Sequence, residues 1–171
     1  MIINPQIPLH RLVLSLSQSL DCVHPLIVDH QQRTAYIAIK IARQLGKDKD
    51  QLLDIFLAAA LHDIGLIGVE NRISGIHAGN FEDISWHGRA GFELLKDISL
   101  FSNAAPLIRF HHVSWDNGTG VQQDGDEVPF NSHILVLADF LERTIDRNFN
   151  VLDQAESLTE KVISLKNGSS G

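Results

Sequence analysis

Five histidines and two aspartates of this sequence fall where ionisable groups are costly: His30, His62, Asp63, His87, His111, His112 and Asp139 lie on apolar helical faces or at helix ends. The plainest case is Ala58-Ala59-Ala60-Leu61-His62-Asp63-Ile64-Gly65, an apolar run that finishes on an adjacent histidine and aspartate and stops at a glycine. Burying such groups without partners costs several kcal/mol. Something must compensate them, and a metal ion would. A set of imidazoles and carboxylates without cysteine suits iron, manganese, zinc or nickel, and not magnesium or calcium alone. Seven ligands are too many for one ion. Neighbouring residues on a helix point about 100° apart, so His62 and Asp63 make a poor local chelate. Asp63 is better placed to bridge two ions with its two oxygens while His62 binds one. That is the arrangement of two-metal phosphoester hydrolysis, in which ions about 3.5–4 Å apart clamp the attacking and leaving oxygens.

Each residue taken singly has a plainer role. A lone His30 or His87 is more often a hydrogen-bonded core histidine, and His111-His112 at a helix end could interact with the helix dipole. Asp139, set between Ala138 and Phe140, is harder to explain without a cation or donors. Coincidence across all seven is improbable. His10, His24, His77 and His133 read as surface or loop residues.

The elements that must position this set are helices. Apolar spacing predicts a first helix over residues 7–22 and a second that begins near Asp21 to Pro25 and runs to Gly46. Ile37, Ala38, Ile41, Ala42 and Leu45 form its apolar stripe, and His30 lies two turns before Ile37 on that face. Asp48 caps a third helix that descends to His62, Asp63 and Gly65. Between Leu66 and Glu82 the periodicity fails and glycines appear, which reads as a loop. A fourth helix starts near Ser85, and a short fifth, capped by Ser102 or Asn103 with Pro106 in its first turn, leads to His111-His112. The stretch 113–129 has no regular pattern, and its acids do not match a calcium-binding loop because Gly118 falls on a ligand position. A sixth helix follows from Asn131 with Asp139 embedded in it, and a last one spans Asp153 to Lys166. No strand-like alternation is long enough to count. The class is all-α.

At 171 residues the chain fits a single domain. Fourteen basic against twenty-one acidic residues, a net charge of −7, argue against a nucleic-acid polymer or an anionic membrane surface as partner. No apolar run approaches the ~20 residues that span a bilayer. The single Cys22 points to a reducing compartment, and a cytoplasmic protein is the expectation.

The ordered set resembles the HD superfamily of metal-dependent phosphohydrolases, and within it the HD-GYP family. It consists of His30 before an Ala/Ile-rich helix, His62-Asp63-Ile64-Gly65, Trp86-His87, His111-His112 followed by Trp115-Asp116-Asn117-Gly118-Thr119-Gly120, then Val128-Pro129 and Leu137-Ala138-Asp139. The resemblance implies an HD-domain helical bundle with a di- or trinuclear, often iron, centre that hydrolyses cyclic di-GMP to pGpG or GMP. It implies that Asp63 bridges, with His30, His62 and Asp139 around one ion and His87, His111 and His112 around the other. It also implies a cyclic dinucleotide, or another phosphorylated small molecule, as substrate, held by Arg143 and Arg147, and a sensory or effector domain or protein as partner. Relatives commonly continue into a further helix, so the sequence is expected to be a fragment of a longer chain.

The sequence departs from the family at several places. Leu66 stands where lysine usually follows His-Asp-Ile-Gly, and Gly120-Val121-Gln122 stands for Gly-Tyr-Pro. Leu26 occupies the position of the third-metal glutamate, which implies two ions and not three. Two further readings follow from these departures: a catalytically impaired metal- and nucleotide-binding signalling module, or an HD hydrolase for another nucleotide.

Overall fold

The computed structural model describes residues 7–21, 28–66 and 86–166. Seven α-helices make up most of it: α1 (Leu9–Asp21), α2 (His30–Gln44), α3 (Lys49–Ala60), α4 (Trp86–Leu95), α5 (Ala104–Arg109), α6 (Phe130–Thr144) and α7 (Ala155–Lys166). Helix α2 is the spine, packed along both α3 and α6. Helix α1 lies on α2 and α3, α5 rests on α3 and α4, and α7 leans on α6. The all-α class expected from the periodicity is what forms. Among the described residues no helix is long and apolar enough to cross a membrane.

Small residues set the spacing. Ala35, Ala38 and Ala42 of α2, Ala58, Ala59 and Ala60 of α3, Ala104 and Ala105 of α5, and Ala138 of α6 are all buried. Ile55, Leu57, Leu61, Ile108 and Leu135 fill the space that remains between the helices. The α2 stripe is rotated from its predicted face, since Leu45 is exposed and the buried line runs His30, Gln31, Thr34, Ala35, Ala38 and Ala42. The residues of α2 that face inward near its start are thus polar: His30 meets the acids of α6 and Gln31 meets Asp63.

Helix ends follow local chemistry. Asp48 accepts from Gln51 N at 2.9 Å while Gln51 Oε1 accepts from Asp48 N at 3.2 Å, a reciprocal capping box that starts α3. Helix α2 begins later than predicted, at His30, because Asp29 holds φ 59 and cannot continue a helix backwards. The expected start between Asp21 and Pro25, Cys22, His24, Leu26, His77, the loop over most of 66–82 and the start at Ser85 lie outside the described residues. The 113–129 stretch also differs from expectation. It holds a 3-10 segment, Asp116–Val121, and a two-stranded hairpin, β1 (Gln122–Gln123) paired with β2 (Asp126–Glu127). Asp124 and Gly125, at φ 55 and 86, supply the two left-handed positions that such a tight turn needs. Arg109 of α5 ties the hairpin down through Asp126 at 2.5 Å.

Gly65 is required by close approach. A Cβ there would sit 2.0 Å from the carbonyl oxygen of His87 and 2.7 Å from Gly91 N, so α4 packs its backbone directly on the turn that carries His62 and Asp63. Gly65→Ala must push α4 away. We expect it to destabilise the protein by about 1–3 kcal/mol, measured by urea unfolding.

Candidate metal centre

His62 and Asp63 are not in a helix. Helix α3 ends at Ala60, Leu61 turns out of it at φ −128, and the pair sits in the tight turn that follows, closed by Ile64 N to Leu61 O at 2.9 Å and Leu66 N to Asp63 O at 2.9 Å. The helical 100° rule therefore does not apply to them, and His62 Nε2 comes within 3.3 Å of Asp63 Oδ2. His62 donates its Nδ1 proton back to Ala59 O at 2.9 Å, a carbonyl left over at the helix end. His111 repeats the device after α5, with Nδ1 donating to Ile108 O at 2.6 Å. Each imidazole is thereby fixed with its Nε2 lone pair facing inward.

All seven predicted ligands converge. On one side, His30 Nε2 lies 3.7 Å from Asp63 Oδ2 and 3.2 Å from Asp139 Oδ1, and His62 Nε2 lies 3.6 Å from Asp139 Oδ1. On the other, His87 Nε2 lies 3.1 Å and His111 Nε2 3.9 Å from Asp63 Oδ1. His87 Nε2 is 3.0 Å from the Nε2 atoms of both His111 and His112. The rings form a continuous band, with His62 and His111 centroids 5.2 Å apart where the two halves meet. The two oxygens of Asp63 point into different halves.

Two observations fit this set to cations. His62 Nε2 and Asp63 Oδ1 are buried without a hydrogen-bond partner among the described residues. Two imidazole nitrogens, His111 Nε2 and His112 Nε2, crowd against His87 Nε2 on a side that offers one carboxylate oxygen and little solvent. His87, His111 and His112 form one potential metal-holding group, and His30, His62 and Asp63 another. Nitrogen and oxygen donors of this kind suit divalent transition metals.

An outer ring of polar side chains surrounds the first half, and three of them, Gln31, Arg33 and Glu142, are absent from the sequence reading. Gln31 Nε2 donates to Asp63 Oδ2 at 2.9 Å. Glu142, buried one turn beyond Asp139, accepts from His30 Nδ1 at 2.5 Å, from Arg33 Nε at 2.7 Å and from Arg147. Arg143 grips Asp139 with Nε on Oδ1 and Nη2 on Oδ2, both at 2.9 Å. Arg143 and Arg147, expected on the substrate, thus stand on the acids of α6 at the edge of the centre. The signal for Glu142 was present in its i,i+3 spacing from Asp139. His133, expected on the surface, is half-buried in α6, within 3.1 Å of Val113 O and edge-on to Trp115. His10 is exposed as expected.

The electrostatics of the two halves differ. Burial opposes a charge on His30, but its hydrogen bonds to Asp139 and Glu142 outweigh that and push it up to about 10. His62 is likewise raised against burial by Asp63 and Asp139. Burial, reinforced by neighbouring imidazoles, drives His111 well down and His112 down to about 4. Burial opposes ionisation of the acids as well, yet His62 and His87 hold Asp63, and Arg143 and His30 hold Asp139, well below the usual carboxylate range.

A family model for the HD domain matches residues 27–144, most of the described fold and all seven residues above. The chain belongs to the HD-domain family. It is 30% identical over 138 residues to a 3'3'-cGAMP-specific phosphodiesterase 3 of Vibrio cholerae, a match covering 77% of this chain and 30% of that protein. It is 30% identical over 151 residues to a cyclic di-GMP phosphodiesterase of Thermotoga maritima, covering 79% and 41%. It is 29% identical over 115 residues to the cyclic di-GMP phosphodiesterase response regulator RpfG of Xanthomonas campestris, covering 63% and 30%. The chain therefore spans well under half the length of these curated relatives.

Two outcomes are expected. Asp63→Ala removes a carboxylate shared by both halves and should abolish uptake of both ions, whereas His112→Ala should lose one, read by elemental analysis of protein reloaded after chelation. In ion-free protein, His30 and His62 hold protons that the unfolded chain releases near pH 6.5, so their stabilisation is complete below that value and is lost at higher pH, for His30 as pH rises toward 10. His111 and His112 are kept neutral in the fold, so stability also falls as pH drops from 6.5 toward 4 and the unfolded chain takes up their protons. The melting temperature of chelator-treated protein should peak near pH 6.5 in a scan from 4 to 10.

Proposed function

We propose that the chain is the catalytic domain of a metal-dependent phosphodiesterase that hydrolyses a cyclic dinucleotide, with cyclic di-GMP as the leading substrate. The observation that carries this reading is the division of Asp63, one oxygen to each half of a seven-ligand cluster. The printed activities of the relatives from Vibrio, Thermotoga and Xanthomonas support the substrate class.

His30, His62, Asp63 and Asp139 would hold one ion and Asp63, His87, His111 and His112 the other, with iron favoured and manganese, zinc or nickel compatible with the donors. Such ions supply a water of lowered pKa and neutralise charge on phosphoryl oxygens. The chain itself supplies the rest. Asp63 is the catalytic residue of this reading, since it sets the position of both ions. The neutral rings of His111 and His112, with His87, wall off one side from water. Arg143, about a quarter exposed and held on Asp139, places fixed positive charge at the edge where a phosphate must approach. Arg147, on Glu142 and about half exposed, extends that charge outward. Hydrolysis joins the oxygen of water to phosphorus, breaks one bond from phosphorus to a ribose oxygen and returns a proton to that oxygen, opening the ring to a linear dinucleotide.

A cytoplasmic, bacterial signalling role with a sensory or effector portion elsewhere is part of this proposal, supported by the relative named as a response regulator and by the share of the relatives that this chain spans. The test is anaerobic incubation of iron- or manganese-loaded protein with cyclic di-GMP and with 3'3'-cGAMP, followed by chromatography. Linear dinucleotide that disappears in Asp63→Ala is the expected result. A protein that carries two ions, binds cyclic di-GMP and forms no product from either would favour the impaired binding module, for which Leu66 and Val121 are the sequence grounds.

A further inference from the structure

Three imidazoles around Asp63 have their Nδ1 edge accounted for, and in two of them the partner is local. His62 and His111 each follow a helix end, where carbonyls without helical partners are at hand three residues back, Ala59 O and Ile108 O. His30 is placed oppositely. It is the first residue of α2, and a helix start presents N–H groups, which cannot accept from an imidazole. The acceptor for His30 must come from another element, and it does: Glu142 Oε2 of α6, 112 residues away, lies 2.5 Å from His30 Nδ1. Glu142 is buried, and its other oxygen is occupied by Arg33 and Arg147, which hold the carboxylate in place. A carboxylate that accepts from Nδ1 dictates the imidazole tautomer and aims the Nε2 lone pair, here at the space between Asp63 Oδ2 and Asp139 Oδ1.

We propose that Glu142 is the positioning residue for the first ion, fixing the tautomer and ring orientation of His30, and that the second ion does not depend on it. This rests on the two-ion reading above. Glu142 touches no reacting atom in that reading and acts through His30 alone. In the second half His111 takes its orientation from Ile108 O, and His87 and His111 face Asp63 Oδ1; neither contact involves Glu142, so that half keeps its geometry when Glu142 is changed.

The experiment is a Mn2+ titration of chelated wild-type protein, Glu142→Gln, Glu142→Asp, His30→Ala and the double variant His30→Ala/Glu142→Gln, each checked for helical circular dichroism. Wild type should take up two ions. Glu142→Gln should weaken one of them by about 10–100-fold, the usual effect of removing such a partner, and leave the other unchanged. Glu142→Asp, which keeps the charge for Arg33 and Arg147, should fall between the two, and carries the same comparison if Glu142→Gln does not fold. The double variant should bind no more weakly than His30→Ala. Full affinity for both ions in folded Glu142→Gln and Glu142→Asp overturns the role of Glu142 while leaving two ions in place. An added loss in the double variant equal to that of Glu142→Gln alone overturns action through His30. A wild-type protein that takes up no ion overturns the centre and this role together.

Discussion

Five imidazole rings and two carboxylates packed against one another with little access to water form a charge problem that side chains alone do not solve. Among the described residues His62 Nε2 and Asp63 Oδ1 are without hydrogen-bond partners, and the Nε2 atoms of His111 and His112 each lie 3.0 Å from that of His87. Unpaired buried polar atoms of this kind each cost about 1–3 kcal/mol, a cost that cations would remove, or protons standing in for them as on His30. Much of the architecture answers that demand. The alanines of α2, α3, α5 and α6 let four helices approach until their ligands meet, and Gly65 lets α4 lay its backbone on the turn that bears Asp63.

The two halves are built by different means. The first draws on α2 and α6 and is surrounded by Gln31, Arg33, Glu142, Arg143 and Arg147, so that each of its acids already has a cationic or donor partner. The second draws on the segments around α4 and α5 and, apart from Asp63, consists of imidazoles, of which burial keeps His111 and His112 neutral. Among the described residues Asp63 alone offers a carboxylate to both halves, one oxygen to each. In the two-ion proposal it would bridge them, and the contact between α2, α3 and α6 becomes a condition for that chemistry.

Much of this was legible from the residues. The seven residues that the fold brings together could be named because acids and histidines on apolar faces have no cheap explanation, and helix existence followed from period. What could not be read was local geometry that depends on distant partners. The turn at 61–65 looked like a helix end because alanine run and glycine stop are common to both, and only Gly65 against His87 O reveals why the chain turns there. Glu142, Gln31 and Arg33 were not singled out, since their roles arise from contacts more than thirty residues away in sequence. The hairpin at 122–127 was hidden in a stretch too short for alternation, though Asp124-Gly125 carried its turn chemistry.

Whether Asp63 divides its oxygens between two ions is read most directly by anomalous diffraction from crystals of manganese-loaded protein. Two peaks are expected, one against Asp63 Oδ2 with His30, His62 and Asp139, and one against Asp63 Oδ1 with His87, His111 and His112. A single peak at full loading, or both Asp63 oxygens on the same ion, would contradict that division.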